Sequence, residues 1–506
     1  MVLILIGVHT MGGNKPLFKK VLISNRGEIA CRIIDTFKKL GITSVAIYHG
    51  SERSSRFVTL ADEAYELKGE TPVSAYLDVN QIVNVAKESG AEAVHPGYGF
   101  LAENSNFARK VMDSGLVFIG PDPEIIELMG DKIRSREFAR QQGVPIAPSV
   151  TFNGDYELFI EQASAIGFPL LIKASAGGGG KGMSIVKGPE GLRDSVRKAM
   201  AEAERYFSDN SVYAELYIER PRHIEVQVVG DGNGGGIHLF ERECSIQRRF
   251  QKLVEEAPAA YLDRAVRKDI CNAAVKLTKA ANYSNAGTVE FILTQDGKFY
   301  FLEMNTRLQV EHPVTEMVTG IDLVELQLEV AAGYPLKFRQ EDITVSGHAI
   351  ECRICAEVPE QDFIPATGKI LQLSYPSGNH IRFENGLDEG QKVTLNFDSM
   401  LAKLVVHGLG RSQAVDRMKE ALGQTVLLGV DTNLNYLNKV CSHHAFLDEP
   451  LHTDFIEEHK SDLSKDNTSE IEIADVILAS ALEFREFKTL TFEVPEPYAT
   501  IGDWRN

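Results

Sequence analysis

The sequence lacks the features of secreted, membrane-spanning and nucleic-acid-binding proteins. It has only 6 cysteines in 506 residues, which predicts reduced thiols in a cytoplasmic protein rather than a disulfide framework. No apolar stretch reaches the length of a membrane span. Basic residues are outnumbered, 53 against 71 acidic ones, and a net charge of −18 argues against tracking the phosphates of a nucleic acid.

The opening residues 1–8 are apolar but short, and they lack both a basic start and a convincing cleavage site. They therefore do not fit a secretory signal. We interpret them as an upstream extension, with Met11 as an alternative initiator. The length of 506 residues predicts two to four domains, and a composition of 43% apolar and 25% charged residues is typical of a globular protein.

A strong hairpin pattern surrounds Asp296-Gly297, which is flanked by two aromatic-rich runs and predicts a two-residue turn. Counting outward from this turn places Glu290 opposite Glu303, with Asn305 on the same face. Facing carboxylates repel by roughly 0.2–1 kcal/mol. A divalent cation bound to their oxygens would remove this repulsion, and Mg²⁺ beside a polyphosphate is the usual case. A solvated face with two unrelated acids is the alternative.

The first hundred residues predict βαβ units. Residues 21–23 and 45–48 form apolar strand patterns, and residues 27–40 between them have helical apolar spacing. The first turn, residues 24–29, is not GxGxxG, so a dinucleotide site is weakly supported. The turn-rich segment 95–104 fits a substrate-lining loop or a simple crossover equally well.

A glycine-rich segment follows the strand 170–173 and precedes the strand 184–186. It is not a Walker A loop, because Gly182 follows Lys181 and no helix follows. A loop between two strands can instead close over phosphates with its backbone N–H groups. Lys173 would add a point charge to them. A flexible linker is the alternative.

Three further patterns remain ambiguous when each is taken alone. The strand 222–228 places His223, Glu225 and Gln227 on one face, which fits a site or a solvated surface. The basic cluster 245–252 suits a small anionic substrate or an exposed salt-bridged face. Lys132, at the start of a helix predicted over 131–142, is, taken alone, typical of an exposed surface.

The C-terminal third predicts a β-rich segment over 347–408, a helix over about 412–422 and helical structure after 431. Cys352 and Cys355 have the spacing of half a zinc site, but no second pair completes it. We therefore predict half-buried strand thiols. Residues 461–469 have the composition of a linker.

Taken together, these motifs resemble the biotin carboxylase family of ATP-grasp enzymes, over about residues 18–462. The segments that carry the resemblance are Ser24-Asn-Arg-Gly-Glu-Ile-Ala30, His95-Pro-Gly-Tyr-Gly-Phe-Leu101, Met129-Gly-Asp-Lys132, Lys173-Ala-Ser-Ala-Gly-Gly-Gly-Gly180, Glu303-Met-Asn-Thr-Arg307 and Gln309-Val-Glu-His-Pro-Val-Thr-Glu316.

The resemblance implies an α/β fold with three domains and a tail. We expect a Rossmann-like parallel sheet in 18–128, an ATP-grasp domain in 129–345 and a β-rich, barrel-sandwich-like domain in 346–462. The remaining residues, 463–506, would be a linker and a tail that docks a partner subunit.

The resemblance also assigns site residues. It assigns ATP binding to Lys132, Lys173, Gly179, Gly180, Glu215, Leu216, Ile218, His223, Gln247, Glu290 and Glu303. It assigns two Mg²⁺ or Mn²⁺ ions to Glu290, Glu303 and Asn305. It assigns bicarbonate to Lys252, Arg307, Gln309, Val310 and Glu311. Glu311 would be the general base, Arg353 would stabilise the biotin enolate, and Lys252 and Arg307 complete the catalytic set.

The implied function is the ATP- and bicarbonate-dependent carboxylation of biotin through carboxyphosphate. We find no Ala/Val-Met-Lys-Met hairpin, since the only Met-Lys pair, Met418-Lys419, lies in a helical charged stretch. The biotin is therefore expected on a separate biotin carboxyl carrier protein, with a separate carboxyltransferase subunit. The resemblance implies a homodimer in the cytoplasm.

Two other functions stay open at this point. One is another ATP-grasp carboxylate–amine ligase, which would lack the roles assigned to Glu311 and Arg353. The other is a nucleotide-binding scaffold without activity. Phe250 favours it, because it stands where the family often has a nucleotide-contacting histidine. A phenyl ring can keep the packing but cannot hydrogen-bond, so we expect an altered nucleotide affinity.

Overall fold

The computed structural model describes residues 17–174, 183–207 and 211–464. The chain divides into two units, 1–460 and 461–506, and only residues 461–464 of the second unit are described. The glycine-rich loop, with Gly179 and Gly180, lies outside the described residues, as does the tail from residue 465 onward. Within the described ranges, no helix has both the length and the apolar character needed to cross a membrane.

The N-terminal region alternates strands and helices. Its elements are β1 Lys20–Ile23, α1 Gly27–Leu40, β2 Thr43–His49, α2 Arg56–Leu60, β3 Glu63–Leu67, α3 Pro72–Tyr76, α4 Val79–Glu88, β4 Ala93–His95, α5 Ser105–Asp113, β5 Val117–Phe118 and α6 Pro123–Gly130.

These strands form the predicted parallel sheet, in the order β3-β2-β1-β4-β5. Both faces of the sheet are buried, since Val21 and Ile23 belong to one apolar core and Leu22 belongs to another. Burial on both faces explains why the strand sequence is continuously apolar rather than alternating. Helix α1 ends at Gly41, whose φ of 69° is the left-handed conformation that glycine adopts easily.

The central region contains two sheets. Its elements are α7 Lys132–Gln141, β6 Ser149–Thr151, α8 Tyr156–Ile166, β7 Leu170–Ala174, β8 Met183–Val186, α9 Leu192–Phe207, β9 Val212–Leu216, β10 Arg222–Asp231, β11 Gly236–Arg248, β12 Gln251–Ala257, α10 Arg264–Ala280, β13 Ser284–Leu293, β14 Phe299–Asn305, α11 His312–Thr319 and α12 Leu323–Ala331.

The C-terminal region is rich in short strands. Its elements are β15 His348–Cys355, β16 Glu357–Val358, β17 Ile364–Pro365, β18 Gly368–Lys369, β19 Gln372–Ser374, β20 Ile381–Asn385, β21 Lys392–Val393, β22 Met400–Gly408, α13 Arg411–Gln424, β23 Val426–Leu428, α14 Leu434–Ser442, α15 His444–Asp448, α16 Phe455–Glu458 and α17 Lys460–Leu463.

A large antiparallel sheet joins the central and C-terminal regions. Its strand order in the described residues is β14-β13-β10-β11-β12-β15-β22-β20. A smaller antiparallel sheet, β6-β9-β7-β8, holds the two strands on either side of the glycine-rich loop. The predicted domain boundary at 345/346 falls between two strands, β12 and β15, that are neighbours in the large sheet. The domain boundaries therefore stay a prediction.

The β13–β14 hairpin reaches the predicted pairing by a different route. The N–H of Thr294 donates to the carbonyl of Lys298 at 2.8 Å, and Gly297, with φ of 82°, donates to Thr294 at 3.1 Å. The loop thus has three residues, and the predicted two-residue turn is wrong. A register shift just beyond Glu290 compensates for the extra residue, so Glu290 does face Glu303.

The cysteine prediction also needs correction. Cys352 and Cys355 are fully buried rather than half-buried, and the Sγ of Cys352 lies 3.9 Å from the Sγ of Cys441. All six thiols are free and buried. Burial raises the pKa of the Cys352 thiol well above its usual range, so it is a neutral core residue.

Helix α11 lies on the polar face of the large sheet and is held there by ion pairs. Glu316 accepts from Arg32 of α1 at 2.7 Å and from Arg382 of β20 at 2.8 Å. Burial alone would raise the pKa of Glu316, but the two guanidinium groups outweigh it and lower the pKa to about 2. This carboxylate therefore ties the N-terminal and C-terminal regions to the helix.

We expect Glu316→Gln to lower the free energy of unfolding by about 2–3 kcal/mol at pH 7, because the buried Arg32 and the partly buried Arg382 lose a shared counter-charge. Arg32 keeps Asp322 as a second partner, which limits the loss. Since the folded pKa lies below the usual value of 4.5, this stabilisation is complete above that pH and is lost as the pH falls toward about 2.

Denaturant titration of both proteins measures this difference. Glu341→Gln is the matched control, because Glu341 pairs with Arg339 on the exposed surface. It should cost less than about 1 kcal/mol. Equal losses in the two variants would contradict the assigned role of the buried pair.

Candidate active site

The largely buried ammonium group of Lys252 is the centre of the candidate site. Its Nζ lies 2.5 Å from Glu225, 3.0 Å from Glu290 and 2.6 Å from Glu311. Burial alone would lower the pKa of Lys252, but the three carboxylates outweigh it and raise the pKa well above its usual range. The lysine therefore stays charged and holds three acids that would otherwise repel one another.

Glu311 ends the loop before α11 and is fully buried. One carboxylate oxygen accepts from Lys252, and the other accepts from Nη2 of Arg353 at 2.8 Å. Burial would raise the pKa of Glu311, but Lys252, Arg353 and Arg242 together hold it well below its usual range. The side chain is thus an ionised carboxylate between two cations.

Arg353 itself is fixed from two sides on β15. Its Nε donates to Glu255 at 2.5 Å while its Nη2 holds Glu311. Burial raises the pKa of Glu255 to about 7, against the opposing effect of Arg353. The guanidinium group is therefore oriented by carboxylates from two different elements, as an anion-stabilising group requires.

The facing acids Glu290 and Glu303 differ in their surroundings. Glu290 accepts from Asn305 at 2.9 Å and from Lys252, and Nε2 of His223 lies 2.9 Å from its other carboxylate oxygen. Glu303 has no hydrogen-bond partner among the described residues. Burial raises its pKa, and the charge of Glu290 adds to that effect.

This pair fits a divalent cation, because a bound cation would remove the repulsion that raises the Glu303 pKa. The metal set of Glu290, Glu303 and Asn305 stays a prediction, and two further side chains lie close to Glu290. Donor atoms of Glu290 lie within 4.8 Å of those of His223 and Glu225. The Asn305 side chain is engaged by Glu290 and by Arg307, so it would have to turn to bind a metal.

The residues assigned to bicarbonate lie together beside this pair. Arg307 donates to Gln309 at 3.0 Å and to Asn305 at 3.0 Å, and its Nε contacts Glu103 at 2.8 Å. Gln309 donates to Glu290 at 3.0 Å. The loop 306–311 thus carries a guanidinium, an amide and the Glu311 carboxylate within one hydrogen-bonded network.

The residues assigned to ATP fall into two groups. In the small sheet, Lys173 forms an ion pair with Glu215, which also accepts from Arg136 at 2.9 Å. Leu216 ends strand β9, and Ile218 lies two residues beyond it. The Glu215 carboxylate is therefore paired with two cationic side chains and is not free to contact an adenine base.

The second group borders the large sheet. His223 contacts Glu290, and although burial would lower its pKa, that carboxylate raises it. Gln247 pairs with Lys252 in the β11–β12 register. Lys132 begins α7, and its charge counteracts the raised pKa of Glu303. The structure therefore brings these residues to the edge of the acid cluster.

Phe250 lies in a two-residue turn between β11 and β12. It is 64% exposed and has φ of 68°, and its neighbour Arg249 has φ of 51°. Such φ values are unfavourable for residues other than glycine. Most of the ring faces solvent, and its effect on nucleotide affinity stays a prediction.

Several residues of the site were not singled out from the sequence. Glu225 lies on the predicted polar face of β10, but that face is fully buried rather than solvated. Arg242, also fully buried, contacts Glu225, Gln227 and Thr315. Strand alternation placed Glu225 on one face with His223 without assigning it a role, whereas nothing in the local pattern marks Arg242. Glu103 gives the segment 95–104 a direct contact with the site.

Comparisons with known proteins agree along the chain. Family profiles match in order: "Biotin carboxylase, N-terminal domain" over residues 17–126, "Carbamoyl-phosphate synthase L chain, ATP binding domain" over 131–339 and "Biotin carboxylase C-terminal domain" over 351–458. Biotin carboxylase 2 of Bacillus subtilis is 47% identical over 445 residues, covering 88% of this chain and 100% of that protein.

A longer relative and a solved structure extend the comparison. The rat mitochondrial methylcrotonoyl-CoA carboxylase subunit alpha is 46% identical over 90% of this chain, which spans 63% of the rat protein. The biotin carboxylase domain dimer of Hydrogenobacter thermophilus 2-oxoglutarate carboxylase, solved with MgADP, ADP and bicarbonate, is 47% identical with a TM-score of 0.85. It covers 90% of this chain and 100% of that one.

These relatives confirm the predicted fold class and enzyme class, and the acid cluster around Lys252 lies within the region that they share. Because it is 47% identical to a biotin carboxylase whose whole length it covers, the chain belongs to the biotin carboxylase family of ATP-dependent ligases.

Proposed function

We propose that this chain carboxylates biotin, using ATP and bicarbonate, as the first half-reaction of a biotin-dependent carboxylase. The single observation that supports this most is the Glu311 carboxylate, held between Lys252 and Arg353 beside the facing acids of the hairpin. The residues proposed as base, anion site and metal site are therefore adjacent. Attack of bicarbonate on a phosphate of ATP requires this arrangement.

In the proposed first step, Arg307, Gln309 and the backbone of Val310 bind bicarbonate next to Lys252. An anion there would share the charge of Lys252, so less of that charge would act on Glu311 and its proton affinity would rise. Glu311 then takes the bicarbonate proton while a bicarbonate oxygen attacks the γ-phosphorus of ATP. The bond to ADP breaks, and carboxyphosphate forms.

Glu290 and Glu303 would hold the metal ions, with Asn305 after its amide turns. When bound, Mg²⁺ or Mn²⁺ would neutralise the negative charge that develops on the phosphates. Lys132 and Lys173 would add point charges along the phosphate chain.

In the proposed second step, carboxyphosphate breaks its carbon–oxygen bond to give CO₂ and phosphate. The biotin ring loses its N–H proton to the phosphate, and the ring nitrogen attacks CO₂. Arg353 would stabilise the negative charge on the ureido oxygen during this step, because two carboxylates already fix its guanidinium group.

The partners of this chain are also proposed from the family to which it belongs. Biotin would arrive on a separate biotin carboxyl carrier protein, and a carboxyltransferase subunit would receive the product. We propose a homodimer, by analogy with the domain dimer of the 2-oxoglutarate carboxylase relative. The rat relative is named for methylcrotonoyl-CoA, which makes an acyl-CoA the proposed final acceptor. The cytoplasm stays the proposed location.

ATP hydrolysis tests the function directly. With Mg²⁺, ADP release should require bicarbonate and should increase further when free biotin is added, because each turnover of bicarbonate consumes one ATP. Hydrolysis that is indifferent to bicarbonate would favour another ATP-grasp ligase. Nucleotide binding without hydrolysis would favour the scaffold.

Arg353→Met should reduce biotin carboxylation more than bicarbonate-dependent ATP cleavage, with a loss in carboxylation of about 100-fold. Labelled bicarbonate incorporated into biotin and ADP released are measured on the same samples. Arg382→Met is the matched control, since Arg382 lies in the same sheet but contacts Glu316 and Glu384 instead. Equal losses of both activities in Arg353→Met would contradict its assigned role.

Glu303→Gln should raise the Mg²⁺ concentration needed for half-maximal hydrolysis by at least about 10-fold, the loss typical even for an outer metal-site partner. Asp296→Asn changes an exposed acid at the tip of the same hairpin and should leave the Mg²⁺ requirement unchanged. An unchanged requirement in Glu303→Gln would remove this residue from the metal site.

A further inference from the structure

Lys403, in the middle of β22, is a fully buried lysine to which the proposed chemistry gives no role. Its Nζ donates to the backbone carbonyl of Val310 at 2.8 Å and lies 3.2 Å from the carboxylate of Glu28. Moving an ammonium ion out of water costs several kcal/mol, so an apolar residue would be the cheaper choice here. The contacts of Lys403 with Val310 and Glu28 therefore point to a function for this buried lysine.

Glu28 is the anion that makes this buried cation tolerable. It lies in the first turn of α1 and also accepts from the Tyr98 hydroxyl. Burial raises the pKa of Glu28 to about 7, and Lys403 acts in the opposite direction. Other acids lie nearby, since Glu384 faces Lys403 in the β20–β22 register and Glu351 lies on the neighbouring strand. Neither accepts a hydrogen bond from Lys403 among the described residues.

The contact with Val310 lies directly next to Glu311, the proposed general base. The carbonyl that Lys403 holds belongs to the peptide between Val310 and Glu311. Arg353, which binds the Glu311 carboxylate, is the direct neighbour of Lys403 in the β15–β22 register. Lys403 thus holds the backbone carbonyl that precedes Glu311, and Arg353 holds the side chain of Glu311.

We propose that Lys403 is a positioning residue that fixes the Val310–Glu311 peptide and so keeps the bicarbonate site and its base in reacting geometry. The proposal rests on the proposed function, because bicarbonate is the ligand whose binding it would support. Glu28 completes the device by neutralising the ammonium group. Without Lys403, the buried Val310 carbonyl would lose the hydrogen bond from Lys403, and the buried Glu28 carboxylate would lose its cation and keep only the Tyr98 hydroxyl.

The kinetic test compares Lys403→Met with Lys403→Arg in the full chain. In Lys403→Met we expect kcat/KM for bicarbonate to fall by about 100-fold, the effect of a misplacement of roughly 1 Å, while the KM for MgATP stays within about twofold. Lys403→Arg keeps a charged donor and should recover part of the loss. A purely structural defect would instead lower kcat/KM for bicarbonate and kcat/KM for MgATP by the same factor, and Lys403→Arg would not restore either.

Val406→Ala is the matched control for stability. Val406 is fully buried in the same strand, three residues away and therefore on the opposite face from Lys403. It should lower the melting temperature but leave the bicarbonate kinetics unchanged. The same bicarbonate defect in Val406→Ala, or normal bicarbonate kinetics in Lys403→Met, would overturn the proposal.

Hydrogen–deuterium exchange separates this proposal from the function on which it rests. Without substrates, peptides covering 306–316 should exchange faster in Lys403→Met and in Glu28→Gln than in the wild type, and Val406→Ala should match the wild type. Unchanged exchange in Lys403→Met would overturn the link. If the wild type hydrolyses ATP without regard to bicarbonate, the proposed function fails, and the exchange result still decides whether Lys403 holds this peptide.

Discussion

The ammonium group of Lys252 among three carboxylates is the interaction on which the rest of the site depends. Glu225, Glu290 and Glu311 come from β10, β13 and the loop before α11, and they would repel one another in a buried setting without a shared cation. The sheet order β13-β10-β11-β12 brings the strands that carry Glu290, Glu225 and Lys252 into one layer. The fold and the site are therefore held together by the same charges.

Strand β10 of the large sheet separates an apolar row of side chains from a polar one. Ile224, Val226 and Val228 pack into an apolar core on one side of β10, while His223, Glu225 and Gln227 alternate with them. Helix α11 covers the polar side and is tied to it through Glu316 and Thr315. Burying so many charges adds little to stability. It does give fixed dipoles and charges around Glu311, which is what stabilising a charged transition state requires.

The sequence predicts local features well and long-range contacts poorly. The pairing of Glu290 with Glu303 is correct, although a three-residue loop and a bulge replace the predicted turn. Strand alternation identified the polar face of β10 but could not show that α11 buries it. The partners of Lys252 and Lys403 depend on the order of distant strands, which no local periodicity encodes. Arg242 has no local signal at all, since buried arginines are rare and their partners lie far away in sequence.

Activation of bicarbonate by Glu311, for attack on the γ-phosphorus of ATP, is the central chemical step proposed for this protein. The most direct test uses bicarbonate labelled with ¹⁸O, with analysis of the inorganic phosphate after a short reaction. The account predicts one ¹⁸O atom in each phosphate released, because the attacking oxygen stays on phosphorus when carboxyphosphate loses CO₂. Phosphate without the label would show that water attacks instead, and it would contradict the proposed role of Glu311.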